Sequence, residues 1–574
     1  MLNTRICLAL AVLISPVAAL SQNAKPASAN STLRITSRIV YVDVVVRDRA
    51  SHIVRGLTEK DFHLLEGGKP QTVVYFADHT HDFSAPVEVP PSKTEFSNVG
   101  PVSNSVNIVL MDFWNTATQD QPYARKQMIR FLEALPPGHQ TALFVLGGRL
   151  RMLQNFTGNT DRLVAAAKAM ELKPSVMRTT GEQQQEADLV TSFIEAMGRS
   201  ASPNNAAADG LSLQGGDETQ RAMDITREAL SEIAAAVSGY PGRKNLYWLA
   251  DQFPLFGGPA LEIHELADDV AAFNTSAQAP PAKMAGLPEP LSPQDIAEAN
   301  QGLANAQIAI YPILLTGVDA SGMEAEARGI TNPQQLFTYR TQLHTMMDNL
   351  AYTTGGQAYY GTNDFAGALR KGFDDGSSYY TLAYVPQNGN WNGAFRKIKI
   401  EMAAHGYSLS YRRGYFATRD NSVPEDPAKE LNAALQPATP ESTMLRLRSK
   451  IVMPDKQHPY LTVDTAVDPA GIDLTTDAAG VRHGKLLVLL VAMSAGAVPK
   501  NGGKGIAPPD SPPQTSGTLH LDFTPDEYRS VLKTGIQFGL KLPLNPGNYR
   551  LRLGVTDLNN NRIGTLDMPV QVDR

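Results

Sequence analysis

The sequence predicts an α/β protein: a doubly wound, mostly parallel sheet in the middle of the chain, flanked by β-sandwich segments and followed by a further β-rich domain. Three observations carry this. Short apolar runs alternate with helical spacing between residues 105 and 365, the order that builds a parallel sheet covered on both faces. Strand-type runs without helices stand on either side, at 33–78 and 377–417, and the simplest arrangement pairs them into one sandwich from which the α/β part projects. Finally, 574 residues exceed one ordinary core, so several domains of about 100 to 200 residues are expected.

The first element is an export signal. Arg5 precedes an apolar run from Ile6 to Leu20, and small residues follow at Ala18, Ala19 and Ser21; this reads as a secretory signal peptide over residues 1–21. The run is broken by Pro16 and is shorter than the roughly 20 residues that span a bilayer. No later stretch is long and apolar enough to be a transmembrane segment. The only cysteine, Cys7, lies in that run, so the exported chain has no thiol. Its cores must then hold it together, as in a bacterial periplasm, on the outer surface or in the extracellular space. With 42% hydrophobic residues, 19% charged and a net charge of -6, the material is globular with no bias toward polyanions, which excludes nucleic acid as a partner.

The N-terminal β unit, 33–78, opens with the β-branched run Ile39 to Val46. Phe62 to Glu66, then Gly67-Gly68, then Thr72 to Phe76 reads as a hairpin. The stretch from His79 to Ser105 is rich in Pro, Ser and Asn and reads as a linker. In the α/β part, Asn107 to Met111 is a buried-type strand delivering Asp112, and residues 121–134 are helical until Pro136-Pro137-Gly138. Thr141 to Leu146 is a strand and Thr160 to Met170 a helix. An insertion rich in Gln, Ser and Asn occupies 178–218. Helix resumes from Arg221 to Ser238, and Asn245 to Ala250 is a strand delivering Asp251. A Pro-rich insertion at 278–293 precedes a strand at Ile308 to Leu314 and a helix from Gln335 to Ala351.

From Gly356 strands dominate: Gln357 to Tyr360, Tyr379 to Val385, Phe395 to Ala403 and Tyr407 to Tyr411. A connector at 420–445 leads to the last domain, 446–574, with apolar runs at Leu486 to Val491, Leu519 to Phe523 and Tyr549 to Val555 and a polar loop from Pro499 to Gly517. Short strands separated by turn signals predict an immunoglobulin-like sandwich.

In an open parallel sheet, ligands sit beyond the carboxyl ends of the strands. Asp112 and Asp251 both fall there, and two carboxylates with hydroxyl neighbours suit a hard cation such as Mg2+. Several stretches carry a resemblance: Val42 to Asp48 with Gly56-Leu57-Thr58 and Asp61-Phe62; Asn107 to Thr116; Pro241 to Leu246; Thr354-Gly355-Gly356; and Arg413-Gly414-Tyr415. In this order and spacing the chain resembles the von Willebrand factor type A fold, and more closely a bacterial VWFA-related family of exported proteins, over residues 35 to 417. The resemblance implies a metal site in which Asp-x-Ser-x-Ser follows the first strand, a threonine comes from a second loop and an aspartate follows a later strand. Asp112 takes the first position and Thr116 the last. Trp114 stands where the first serine belongs and offers no oxygen, leaving Asn115 as a substitute. Asp251 matches the later aspartate and Thr219 the loop threonine. The implied ion is Mg2+ or another divalent cation in a degenerate site; the alternative is that both aspartates cap the helices that follow them.

Other chemistry is scarce. His264-Glu265-Leu266-Ala267-Asp268 starts like a zinc-protease helix but lacks the second histidine. His79 to Asp82 reads as a solvated turn, Arg243 and Lys244 as a cap on the preceding helix, and the tyrosines at 379, 380, 384, 407, 411 and 415 as cross-strand packing. There is no phosphate-cradling glycine loop, serine elbow or cysteine nucleophile. The expectation is a non-enzymatic binding or adhesion-type protein whose partner is a protein or cell-surface ligand; the alternatives are a carboxylate-dependent hydrolase or a purely structural envelope component.

Overall fold

A computed structural model describes residues 39–80, 94–100, 105–116, 120–170 without 137, 221–253, 306–315, 333–361, 376–417, 426–454 without 438, 459–494 and 512–573, with isolated positions between them. In chain order the strands and helices are β1 (Val40–Arg47), β2 (Phe62–Glu66), β3 (Lys69–Pro70), β4 (Val73–Asp78), β5 (Glu95–Ser97), β6 (Ser105–Asp112), α1 (Gln121–Glu133), β7 (Thr141–Leu146), β8 (Leu150–Thr157) and α2 (Thr160–Ala169). Helix α3 (221–237) follows, then β9 (Arg243–Ala250), β10 (Ile308–Leu314), α4 (Pro333–Thr354), β11 (Tyr380–Tyr384), β12 (Phe395–Met402), β13 (Ser408–Ser410), β14 (Gly414–Phe416) and α5 (Pro427–Ala434). The last stretch holds β15 (Leu447–Val452), β16 (Leu461–Val467), β17 (Thr475–Thr476), β18 (Arg482–Ser494), β19 (Gln514–Phe523), α6 (Pro525–Thr534), β20 (Ile536–Leu542), β21 (Gly547–Asp557) and β22 (Ile563–Val572).

Strands from both ends of the α/β stretch build one sandwich. One sheet runs β13-β1-β11-β4 and the other β14-β12-β2-β3, with β1 antiparallel to β11 from Val40 opposite Tyr384 to Val44 opposite Tyr380. Alternation places Val42, Val44, Leu64, Leu382, Ile398 and Ile400 in the shared core, each burial worth about 1.5–3 kcal/mol. The expected hairpin is corrected here. Strand β2 turns through Gly67 and Gly68, at φ +56° and +78°, into the two-residue β3. The chain then leaves that sheet, and β4 pairs with β11 in the other. Pro70 has no N–H to continue a ladder.

The middle sheet has the order β10-β9-β6-β7-β8. The pairs β10–β9, β9–β6 and β6–β7 are parallel and β7–β8 is antiparallel. Every residue of β6, β7, β9 and β10 is buried, as a sheet covered on both faces requires. One face meets α3 and α4 through Leu230, Ile233, Leu343 and Met347; the other meets α1 and α2 through Met128, Phe131, Leu132 and Leu163. Strand β8 was not expected. It follows β7 through Gly147 and Gly148 as an edge hairpin, and its mixed sequence carries little of the burial signal of the parallel strands. The strand expected at Gln357 to Tyr360 reduces to one parallel bridge, Ile313 to Tyr359. The insertions at 178–218 and 278–293 lie outside the described residues.

The last β layer pairs a sheet β20-β16-β15-β5 with a second containing β17-β18-β21-β22, where β19 also pairs with β18. Leu447, Val463, Leu490, Leu553 and Leu566 share its core. Four expectations change. The supposed linker supplies β5, which pairs with β15 at Glu95 opposite Lys450, so a domain beginning at 446 omits one of its own strands. The connector holds α5, whose Asp426 side chain accepts from the N–H groups of Ala428 and Lys429, with Pro427 at the first position. The polar loop expected to reach Gly517 ends sooner, because β19 starts at Gln514. Between β19 and β20 lies α6, started by a Thr524–Glu527 capping box, so this part is not all β.

The last layer is tied to the middle one. Thr443 Oγ1 accepts from the Gly239 N–H at 2.8 Å and donates to the Ala236 carbonyl at 2.9 Å, closing the end of α3. Asn98, 3% exposed, donates to the carbonyls of Ser442 and Leu445 and accepts from the Leu447 N–H. Among the described residues no helix is long and apolar enough to cross a membrane.

Candidate functional site

The carboxyl ends of β6 and β9 are neighbours: their register brings Met111 opposite Leu249, so Asp112 and Asp251 sit at adjacent strand ends. Both are fully buried. The chain after β6 is held down by N–H groups of Phe113 and Trp114 donating to the Leu146 carbonyl at 2.9 and 3.1 Å. It turns back at once, so that the Asn115 N–H reaches Asp112 Oδ1 at 2.9 Å.

The side chains then close a knot. Asn115 Nδ2 donates to Asp112 Oδ2 at 2.7 Å and to Thr226 Oγ1, on α3, at 2.9 Å. Trp248 Nε1 donates to the same Asp112 Oδ2 at 2.9 Å. The Thr226 hydroxyl donates to the Ala222 carbonyl at 2.7 Å. The Thr116 hydroxyl points away from the carboxylate and donates to the Asp112 main-chain carbonyl at 2.5 Å. The Asn115 main-chain carbonyl accepts from the Gln252 N–H at 3.1 Å, which links the loop after β6 to the loop after β9. Gln121, at the start of α1, donates to the carbonyls of Phe113 and Thr116.

Burial is the dominant influence on Asp112 and raises its pKa from 3.8 to about 6; the bonds from Asn115 and Trp248 oppose that rise. A Mg2+ ion takes about six oxygens in near-octahedral geometry. Here both Asp112 oxygens already accept donors, the Thr116 hydroxyl and the Asn115 carbonyl are engaged elsewhere, and Asn115 presents an amide nitrogen where an oxygen would be needed. So arranged, Asp112, Asn115 and Thr116 do not fit the ion. Asn115 Nδ2 bridges a carboxylate and a hydroxyl, the groups that a cation would bridge. For Asp112 the capping alternative is corrected: α1 begins after Asp120, and Asp112 serves the turn at Asn115 instead; the residues that follow 253, after Asp251, lie outside the described residues.

Of the expected ligands, Asp112, Asn115 and Thr116 come together, with Asp251 at the adjoining strand end; Thr219 lies outside the described residues. Trp114 does not enter the site. It packs against the core on the α3 side, with the exposed Arg221 guanidinium 5.9 Å from its ring centre. Sequence reasoning missed Trp248 and Thr226. Trp248 left no signal of its own, because the pairing that makes Leu110 and Trp248 register partners, and so by the period of two puts the indole on the face of Asp112, is set by the folded sheet.

Other expectations also move. His79 stacks on Tyr379 at 4.5 Å between ring centres and Thr80 is buried, so this is a packed turn and not a solvated one; His81 and Asp82 lie outside the described residues, as do residues 264–268. Arg243 does not cap α3. It starts β9, buried, and its guanidinium donates to the Gly355 carbonyl at 2.6 Å, beyond the end of α4. The tyrosines of the sandwich pack as expected: Tyr380 lies 5.4 Å from Phe62, and Tyr384 and Tyr415 both donate to Glu66 Oε2, at 2.7 and 2.9 Å.

No protein-family model matches the chain, and no curated protein matches it. Solved structures give faint likenesses. The PilB minor pilin from Streptococcus sanguinis has 14% identity and a TM-score of 0.21, the match covering 50% of this chain and 62% of that one. Three N-terminal domains of the type V pili tip protein Mfa5 from Porphyromonas gingivalis give 9% and 0.23, covering 67% and 76%. A von Willebrand factor type A protein from Catenulispora acidiphila gives 12% and 0.20, covering 62% and 72%. The chain thus spans less than two thirds of the pilin, and scores this low assign neither fold nor function.

Proposed function

We propose that the protein is an exported, non-enzymatic binding protein that presents the carboxyl-end face of a type A-like α/β domain to a protein ligand on a surface, and does so without a metal. The observation that carries this is the bond network at Asp112. It fixes the loops after β6 and β9 to each other and to α3 without an ion, which leaves a preorganised face where open α/β sheets bind ligands. The central parallel strands, antiparallel edge and two helical layers support the doubly wound, type A-like reading of 105–365. The two-sheet layer supports an immunoglobulin-like reading of 446–574, enlarged by β5. Export rests on the signal-like residues 1–21. The hydrolase reading loses its best acid, because Asp112 is enclosed behind Asn115 and Trp248 and a catalytic carboxyl must reach its substrate.

The test is saturable binding of the labelled full chain to intact cells and to purified surface proteins, with and without a chelator, for the wild type and for a Trp114→Ala/Arg221→Glu double variant. Binding that ignores the chelator and weakens by about tenfold or more in the variant supports the reading. Binding abolished by the chelator, or equal in both proteins, sinks it.

A further inference from the structure

Away from Asp112, at the opposite end of the middle sheet, a cavity of about 50 Å3 lies where that sheet meets the sandwich. Four of the stretches singled out in the sequence converge on it from distant positions: Asp43 from β1, Arg243 from β9, Thr354 at the end of α4, and Gly414 with Tyr415 from β14. Its charged lining is unbalanced. Arg243 and Arg412 face it, with Asp43 as the only carboxylate among its described lining residues. That carboxylate also accepts the Thr381 hydroxyl at 2.7 Å. The Arg243 guanidinium is held in place by Asn245, Tyr311 and the Gly355 carbonyl, and Arg412, partly open to solvent, lies 5.9 Å from the Tyr415 ring centre. Much of the remaining wall is carbon, from Phe395, Phe416 and Ile308. Tyr41 and Phe395, 40% and 37% exposed, form a rim open to solvent.

A seam that served only to join two layers would close to crystal-like density. This one keeps a space several times the roughly 10–15 Å3 that one water needs, with two guanidinium groups and one carboxylate among the described residues of its floor and aromatic rings at its mouth. Ligand sites favour such junctions, with apolar walls and a few fixed polar groups, and guanidinium groups match carboxylates in pairs of parallel hydrogen bonds.

We infer that this cavity binds a small organic anion, a carboxylate carrying an apolar or aromatic group, with Arg412 and Arg243 holding the carboxylate and Tyr41 and Phe395 flanking the apolar part. Burial lowers the pKa of Arg412, and Asp43, Tyr384 and Tyr415 oppose that; a bound anion would add to their side.

The experiment is a calorimetric titration of the full chain with benzoate, with benzamide and benzylamine as neutral and cationic controls, repeated on Arg412→Gln. Saturable benzoate binding, weaker by about tenfold or more for both controls and in Arg412→Gln, is the expected result. Should Arg412→Gln fail to fold, Thr353→Phe puts a ring into the cavity from a partly exposed helix position with all charges kept, and must block benzoate. No saturation by benzoate, equal binding of benzamide, or undiminished binding in the folded variant would each overturn the assignment.

Discussion

The indole of Trp248 donates to Asp112 Oδ2 across 2.9 Å, joining the ends of two adjacent parallel strands through a carboxylate that water does not reach. Replacing Trp248 by Phe keeps an aromatic ring, removes the donor and leaves a small cavity at this fully buried position. A buried charge that loses one of its partners costs about 1–3 kcal/mol. The variant should unfold at lower denaturant at pH 7 by at least that amount, the cavity adding to it, and the part due to the lost bond should shrink at low pH where Asp112 is protonated. Equal midpoints at pH 7 would show that the bond carries no stability.

The same carboxylate sets a pH dependence. Its pKa in the folded protein is raised from 3.8 to about 6, so its contribution to stability is complete below the unfolded value and is lost as pH rises through about 6. About two pKa units correspond to about 3 kcal/mol. Glu232 and Glu441 are also pushed up by burial, each to about 7, and act with the same sign, so wild type must be compared with Asp112→Asn to isolate this site. Between pH 4 and 8 the wild type should lose about 2.5 kcal/mol relative to that variant. Parallel stability curves would rule the assignment out.

Calorimetric titration of Mg2+, Mn2+ and Ca2+ into the full chain should give no saturable heat, because both Asp112 oxygens and the Thr116 hydroxyl are engaged. A saturating isotherm that disappears in Asp112→Asn would restore the metal centre and overturn the proposed metal-independent face.

Asn98 fastens β5 to the last sheet through three hydrogen bonds to main-chain groups of Ser442, Leu445 and Leu447. Asn98→Ala leaves these buried groups without their partner, and about 2 kcal/mol or more of stability should be lost. Limited proteolysis should then cut near residues 94–100 sooner than in the wild type. An unchanged cleavage pattern and midpoint would show that β5 is dispensable.

Gly356 lies against β10, where an added methyl group would overlap the Ile310 carbonyl. The preceding Gly355 turns the chain at φ +83°, and both N–H groups bond the Ala351 carbonyl at the end of α4. Gly356→Ala should therefore destabilise by several times the roughly 1 kcal/mol of a surface helix substitution. Thermal unfolding checks this, and a wild-type midpoint would contradict the close approach.

Legibility followed the strength of the local signal. Strands β7 and β10 were read at their observed bounds, because a strand buried on both faces has no polar positions to blur its run. Helices α1 and α2 were read nearly to the residue from their spacing and stop signals. Strand β8 escaped because an edge strand mixes polar and apolar residues. Strand β5 escaped because three residues in a Pro- and Ser-rich stretch carry no pattern of their own; β15 makes them a strand. At the candidate site the sequence marked Asp112, Asn115 and Thr116 as a group. The direction in which each side chain points, and the arrival of Trp248 and Thr226, depend on strand register and helix packing.

The sequence by itself thus determined the alternating α/β middle and placed Asp112 and Asp251 at strand ends, since periodicity and burial are written locally. Only the tertiary structure decided what Asp112 does there. A carboxylate without water takes the nearest donors, and packing α3 and β9 beside β6 supplied an amide and an indole. It also brought Asp43, Arg243 and Arg412 to one cavity, a meeting that no spacing along the chain announces.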